Sequence, residues 1–228
     1  MPHRLSLQPI VDLQGPSISG YAVRPAPDAD LTSEGWLEAL VEGLPGLLPT
    51  GILHVQAPLA WLEGEGRELE GLLRVIPASR LVLDVPDTEG IESPVRLAAL
   101  IGRSHGLSVK VGFQDGDMAR LGLECLASAP PDFLRLDPEL VQGCRLHPIQ
   151  RALLGAVLEI CQDLGVIPLG DTLEDAGDAR WLELAGVRLQ SGPVFTEPGL
   201  DEIPQLAPER LTALALSHPG VGGMRLGA

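Results

Sequence analysis

Residues 161–198 read CQDLGVIPLGDTLEDAGDARWLELAGVRLQSGPVFTEP, and this stretch decides the fold class. Leu164-Gly165 stops a helix, and Val166–Leu169 follows as a short apolar strand. The loop Gly170-Asp171-Thr172-Leu173-Glu174 carries two carboxylates, Asp175–Ala185 has helical spacing, and Val187–Gln190 is a second strand ahead of Ser191-Gly192. Glycine after a helix and an acidic residue before the next are ordinary stop and start signals. Strands that alternate with helices at this spacing form parallel βαβ units. Asp171 and Glu174 therefore fall just past a strand's C-terminal end, where barrel enzymes keep their chemistry.

Upstream, the pattern repeats. Leu5–Leu13 and Ser17–Val23 are strands joined by Gln14-Gly15-Pro16, a connection short enough to make them antiparallel. A helix runs from Thr32 or Ser33 to about Leu44, with Trp36, Leu37, Leu40, Val41 and Leu44 on one face. Strands are expected at Ile52–Gln56, Arg80–Val85, Leu107–Phe113 and Phe133–Leu136. Helices are expected at Leu59–Val75, Pro94–Ser104, Asp117–Ser128 and His147–Leu164, with a last one at Pro208–Ser217. Eight strands with helices between them and no linker composition predict one α/β domain over residues 1–228, a (β/α)8 TIM-type barrel with an antiparallel first strand. Its Gly-rich tail, residues 220–228, is expected to fray. An open doubly wound sheet is the structural alternative.

Composition narrows the function. Hydrophobic residues make up 45% of the 228, enough for a large core. With 16 Lys+Arg against 31 Asp+Glu, the formal charge of −15 repels nucleic-acid polymers. Cys125, Cys144 and Cys161 are odd in number and widely spaced, which suits reduced thiols in a cytoplasmic protein rather than a disulfide framework or a metal site. The N-terminus MPHRLSLQPIVDL lacks a signal peptide's apolar run and cleavage site, and no apolar run reaches membrane length, so a soluble, cytosolic protein with no membrane span is expected. His3, His54, His105, His147 and His218 lack zinc spacing and read as solvated.

The strand ends carry a resemblance. LQPIVDL, Gly20-Tyr21, HVQAPLAWL, LVLDVPD, GLSVKV, PDFLRLD, LGVIPLGDTLED and SGPVFTEP, in this order and spacing, resemble EAL domains, the cyclic di-GMP phosphodiesterase family. The resemblance implies a barrel mouth where carboxylates and an asparagine hold two divalent cations, with a lysine and a loop glutamate assisting. Much of that set is substituted. The signature Glu falls on Ala22, the Asn on Gln56, the first Glu of the next motif on Asp84, and the lysine on Arg135. The Asp-Asp pair falls on Gly112-Phe113 or on Gln114-Asp115, depending on where counting begins. Asp87, Asp137, Asp171 and Glu174 keep acids, Ser191 replaces a Gln, and Gln8, which in the family helps bind the dinucleotide, is retained. The phosphate-meeting arginine aligns with Ala26, and Arg24 lies two positions early.

The residues thus lead to a degenerate EAL-like signalling domain, a pseudoenzyme with no catalytic residues and no metal ligands assigned. Gln8, Asp84, Arg135, Asp137, Asp171 and Glu174 are its candidate ligand-binding residues. It would act by binding a protein partner or a second copy, with cyclic di-GMP a weak ligand and no cofactor. The alternative is an active phosphodiesterase that uses Mg²⁺ or Mn²⁺ on a rearranged site of Asp84, Asp87, Asp115, Asp137, Asp171 and Glu174. Plain structural roles stand beside these: Asp171 and Glu174 as helix caps, Asp84 as turn chemistry before Pro86, Arg135 and Asp137 as a rim ion pair, and Gln8 as a strand hydrogen bond.

Overall fold

The computed structural model describes residues 5–15, 17–25, 33–47, 51–63, 67–85, 94–113 and 127–195. Asp87, Asp115, Cys125, the expected Asp117–Ser128 helix up to residue 126, and the expected Pro208–Ser217 helix and tail lie outside them.

Eight strands close into one barrel in chain order. They are β1 (Leu5–Asp12), β2 (Ser17–Pro25), β3 (Ile52–Gln56), β4 (Leu81–Val85), β5 (Lys110–Phe113), β6 (Phe133–Leu136), β7 (Ile167–Gly170) and β8 (Leu189–Gln190). β1 runs antiparallel to both β2 and β8, and every other neighbouring pair is parallel. The short turn after Asp12 forces this reversal, because the few residues between Asp12 and Ser17 cannot return a parallel strand. The open-sheet alternative is overturned by the β1–β8 closure.

Helices cover the outside: α1 (Ser33–Leu47), α2 (Leu59–Glu63), α3 (Arg67–Leu73), α4 (Pro94–Gly106), α5 (Pro138–Val141), α6 (Pro148–Leu164) and α7 (Ala176–Leu184). α6 starts on a proline, whose fixed φ suits the first helical position, and ends on Gly165 at φ 70°. Two strands, β5 and β8, are shorter than the sequence pattern implies by more than one residue. β5 begins at Lys110 because Leu107 and Ser108 form a turn, with Ser108 at φ 61°. β8 is reduced to Leu189-Gln190, where Val187 packs into the helical layer instead.

Strand alternation sorts the residues into two cores. Leu53, Val55, Leu81, Leu83, Val85, Val111 and Phe113 face outward against Trp36, Leu40, Leu72, Leu97 and their neighbours. Leu136 and Val187 pack with Val141, Leu154, Ala179 and Leu182 of α5, α6 and α7. The other set points into the barrel. Ile10, Ala22 and Leu169 form an apolar plug there, and a polar layer lies nearer the C-terminal ends of the parallel strands.

Candidate functional site

The register brings the polar layer to one level. Gln56 pairs with Asp84, and Asp84 pairs with Gly112, so three parallel strands present inward positions side by side. Arg135 is the third residue of β6, and Asp171 follows β7 directly. Arg24 lies near the end of β2. Ser191 follows β8, and its N–H donates to the Gly170 carbonyl at 2.7 Å.

At the centre is Arg135, which is 2% exposed. Its Nε donates to Asp84 Oδ2 at 2.8 Å, and Nη2 lies 2.7 Å from the same oxygen. Nη1 donates to Asp171 Oδ2 at 2.9 Å. One guanidinium therefore spans two carboxylates from strands that are not neighbours. Each carboxylate has further partners. His54 Nδ1 lies 3.2 Å from Asp84 Oδ1, and the His54 ring meets Phe133 edge-on at 4.8 Å between centroids. Asp171 accepts from Arg24, from the Ser191 hydroxyl and from the Thr172 N–H.

Electrostatics follow from burial and pairing. Burial alone would raise the Asp84 carboxyl pKa, but the Arg135 charge and His54 overcome it and hold Asp84 far below the ordinary carboxylate range. Burial also works against ionised Asp171; Arg135, Arg24, Ser191 and Thr172 reverse the balance and lower its pKa. Burial disfavours the Arg135 charge, and the two aspartates more than restore it. Two guanidinium and two carboxylate charges thus neutralise each other inside the mouth. Arg24, Gln56, Arg135, Pro138, Asp171 and Thr172 are among the residues lining a cleft of about 230 Å³ there.

Of the six candidate residues, three come together: Asp84, Arg135 and Asp171. Asp137 does not join them. It caps α5 by accepting from the Glu139 N–H at 2.7 Å, so the expected Arg135–Asp137 rim pair is replaced by Arg135–Asp84 and Arg135–Asp171. Side-chain direction decides this, since Arg135 points inward and Asp137 has already left the strand. Glu174 is exposed, and Gln8 is half-buried on β1 opposite Ala22. The helix-cap reading of Asp171 and Glu174 is corrected as well, because Asp175 caps α7 through the Gly177 and Asp178 N–H groups. Asp84 is buried at 1% exposure, not a turn residue at the surface.

Sequence reasoning missed four contributors. His54 was expected to be solvated and is 3% exposed against Asp84. Arg24 lies two positions early of the aligned phosphate-meeting place, yet it reaches Asp171. Its even-numbered position, matching Ala22 on β2, was the available signal. Gly112 is a spacer: a Cβ there would lie 2.3 Å from Asp84 Oδ1. Asp178 ties the segment before α6 to α7 by accepting from the Gly143 and Arg145 N–H groups at 2.7 and 3.1 Å, while Arg145 Nε donates to Asp175 at 3.1 Å.

The two divalent cations that the resemblance implies do not fit these residues. Ala22 contributes no ligand and lies in the apolar plug, Gly112 leaves no room for an acid, and a permanent guanidinium lies across Asp84 and Asp171. Among the described residues no three His, Cys, Asp or Glu side chains converge as a metal-binding group. No helix among them is long and apolar enough to cross a membrane.

Comparison with known proteins places the fold. The EAL domain family model matches residues 66–198. The chain is 22% identical over 157 residues to the probable cyclic di-GMP phosphodiesterase PdeN of Escherichia coli K12, covering 67% of this chain and 30% of that protein. It is 26% identical over 145 residues to the blue light- and temperature-regulated antirepressor BluF of the same organism, covering 61% of this chain and 36% of that one. It thus spans about a third of these curated relatives. Among solved structures, a standalone versatile EAL protein of Vibrio cholerae O395, in its c-di-GMP bound form, superposes with TM-score 0.78. That pair is 21% identical, and the match covers 90% of this chain and 96% of the other. A calcium/cy-diGMP complex of BlrP1 from Klebsiella pneumoniae gives 0.76 at 22% identity, covering 90% and 58%.

Proposed function

We propose that this chain, which belongs to the EAL domain family, works as a binding module in cyclic di-GMP signalling and not as a hydrolase. One observation carries this reading: the Arg135 guanidinium holds Asp84 and Asp171 in a buried, self-neutralised cluster at the barrel mouth. Two-metal displacement needs cations on both the attacking and the leaving oxygen. Here the carboxylates that could hold them are committed to arginine, and guanidinium does not give up its proton in proteins. A fold that hosts a reaction does not impose it; the site residues decide.

A protein partner is the favoured ligand. A formal charge of −15 opposes entry of a dianionic dinucleotide, and Ala26 leaves the aligned phosphate-meeting position without a charge. Leu146, Ile149 and Leu153, at 62%, 77% and 51% exposure, put apolar surface at and just before the start of α6. A relative named for antirepression rather than for hydrolysis supports the same direction. Cyclic di-GMP then binds more weakly than micromolar. Calorimetric titration with cyclic di-GMP, with and without Mg²⁺, tests this. No heat at micromolar concentrations is expected, and tight Mg²⁺-dependent binding would overturn the reading.

A further inference from the structure

We infer that the cleft at the barrel mouth is a binding site for a small, uncharged molecule that carries a carboxamide on a planar ring. The inference deepens the proposed binding role of the mouth and rests on that reading. Two donors point to it. Arg135, which is 2% exposed, gives Nε to Asp84 and Nη1 to Asp171. Its Nη2 lies 2.7 Å from Asp84 Oδ2 but off the hydrogen-bond line, and it meets no acceptor among the described residues. Arg24 gives Nη2 to Asp171, and its own Nε, also withdrawn from water, is equally unmatched. Folded proteins match nearly all such buried groups, so two orphaned donors beside one cleft mark the place of an acceptor that the chain itself does not supply. Both arginines line that cleft, whose volume of about 230 Å³ has room for a ring and its substituent.

Charge selects the class of ligand. Arg24 and Arg135 balance Asp84 and Asp171, two against two. An anion would bring unpaired negative charge to a place that water screens little, and a cation would meet the guanidinium groups. A neutral carbonyl satisfies the donors and leaves the balance intact. Other residues of the wall ask for donors in return. Thr172 donates its hydroxyl to the Asp171 carbonyl at 2.8 Å, so the Oγ1 lone pairs remain as acceptors. Gln56, level with Asp84 across β3 and β4, brings an amide that can also accept. Pro138 adds apolar surface for a ring. A carboxamide therefore has a carbonyl for the guanidinium donors and two N–H groups for Thr172 and Gln56. A carboxylate of the same shape has no donor and a full charge.

Titration of the isotope-labelled full chain with nicotinamide, and separately with nicotinate, tests the inference by nuclear magnetic resonance. The two probes share a ring and differ in charge and in the N–H groups. Nicotinamide should move the Thr172 N–H, the Gln56 side-chain amide and the Arg135 Nε–H saturably, with a Kd of about 1 mM, ordinary for a ligand of that size. Nicotinate should bind at least about tenfold more weakly. Gln56→Leu and Thr172→Val should each weaken nicotinamide about fivefold, the loss of one hydrogen bond. No saturable shift at these groups up to about 20 mM overturns the inference. So does nicotinate that binds as tightly as nicotinamide, or either variant folding yet binding like the unaltered protein. Where one variant does not fold, the other decides. Turnover of cyclic di-GMP by the unaltered protein would remove the functional reading, whereas a mouth silent to nicotinamide removes only this inference.

Discussion

Arg135 Nε donates to Asp84 Oδ2 at 2.8 Å in a place where both side chains are almost fully withdrawn from water. Such a pair contributes little net stability as a unit, because desolvating both ions offsets their attraction, but breaking it exposes the full cost. Arg135→Ala should therefore destabilise the barrel by about 3–5 kcal/mol, read as a lower denaturation midpoint in urea. Loss of less than about 1 kcal/mol would mean that water reaches the mouth.

Acid should unfold the protein through the same carboxylates. Asp84 and Asp171 have folded-state pKa values below the ordinary carboxylate value. Their stabilisation is complete above the unfolded pKa near 3.8 and is lost as pH falls below it towards the folded values. In that window each contributes a slope of about 1.4 kcal/mol per pH unit, with stability rising with pH. Asp84→Asn should remove one such slope from stability measured between about pH 4 and pH 2. An unchanged slope would mean that Asp84 does not ionise in the fold.

Two glycine substitutions should diverge. Gly112→Ala places a Cβ 2.3 Å from Asp84 Oδ1 and should cost about 1–3 kcal/mol by displacing the carboxylate from Arg135. Gly102→Ala, on an exposed face of α4 with nothing within 4 Å, should stabilise by up to about 1 kcal/mol. Thermal midpoints of the two variants check the pair.

Much of the barrel was legible because period-2 alternation and glycine or proline punctuation mark strands without tertiary information. The hairpin turn after Asp12 gave the reversed first strand. The mouth was legible only in part. Asp84, Arg135 and Asp171 could be named from strand ends, but which of them touch depends on register between strands far apart in sequence. His54 looked like a scattered histidine until the Ala22–His54 pairing turned it inward. Arg24 was judged by alignment to a motif, while the geometry depends on side-chain parity and reach. Asp178 carried no local signal, since its partners lie more than 30 residues away.

Restoring the family's signature acid alone should fail. Ala22 is 1% exposed and packs with Ile10 and Leu169, so Ala22→Glu pushes a carboxylate into the apolar plug. It should lower the thermal midpoint and generate no phosphodiesterase activity, because Gly112 and Arg135 remain. A gain of cyclic di-GMP hydrolysis in this single variant would show that the mouth is poised for metal.

The central claim is that the carboxylates at the mouth are committed to a fixed guanidinium, and it is tested most directly by product analysis. The unaltered protein is incubated with cyclic di-GMP and excess Mn²⁺, and the linear dinucleotide is sought by chromatography over several hours. The account predicts none above the protein-free control. Linear product that scales with protein concentration, and that is abolished by Asp84→Asn, would contradict it.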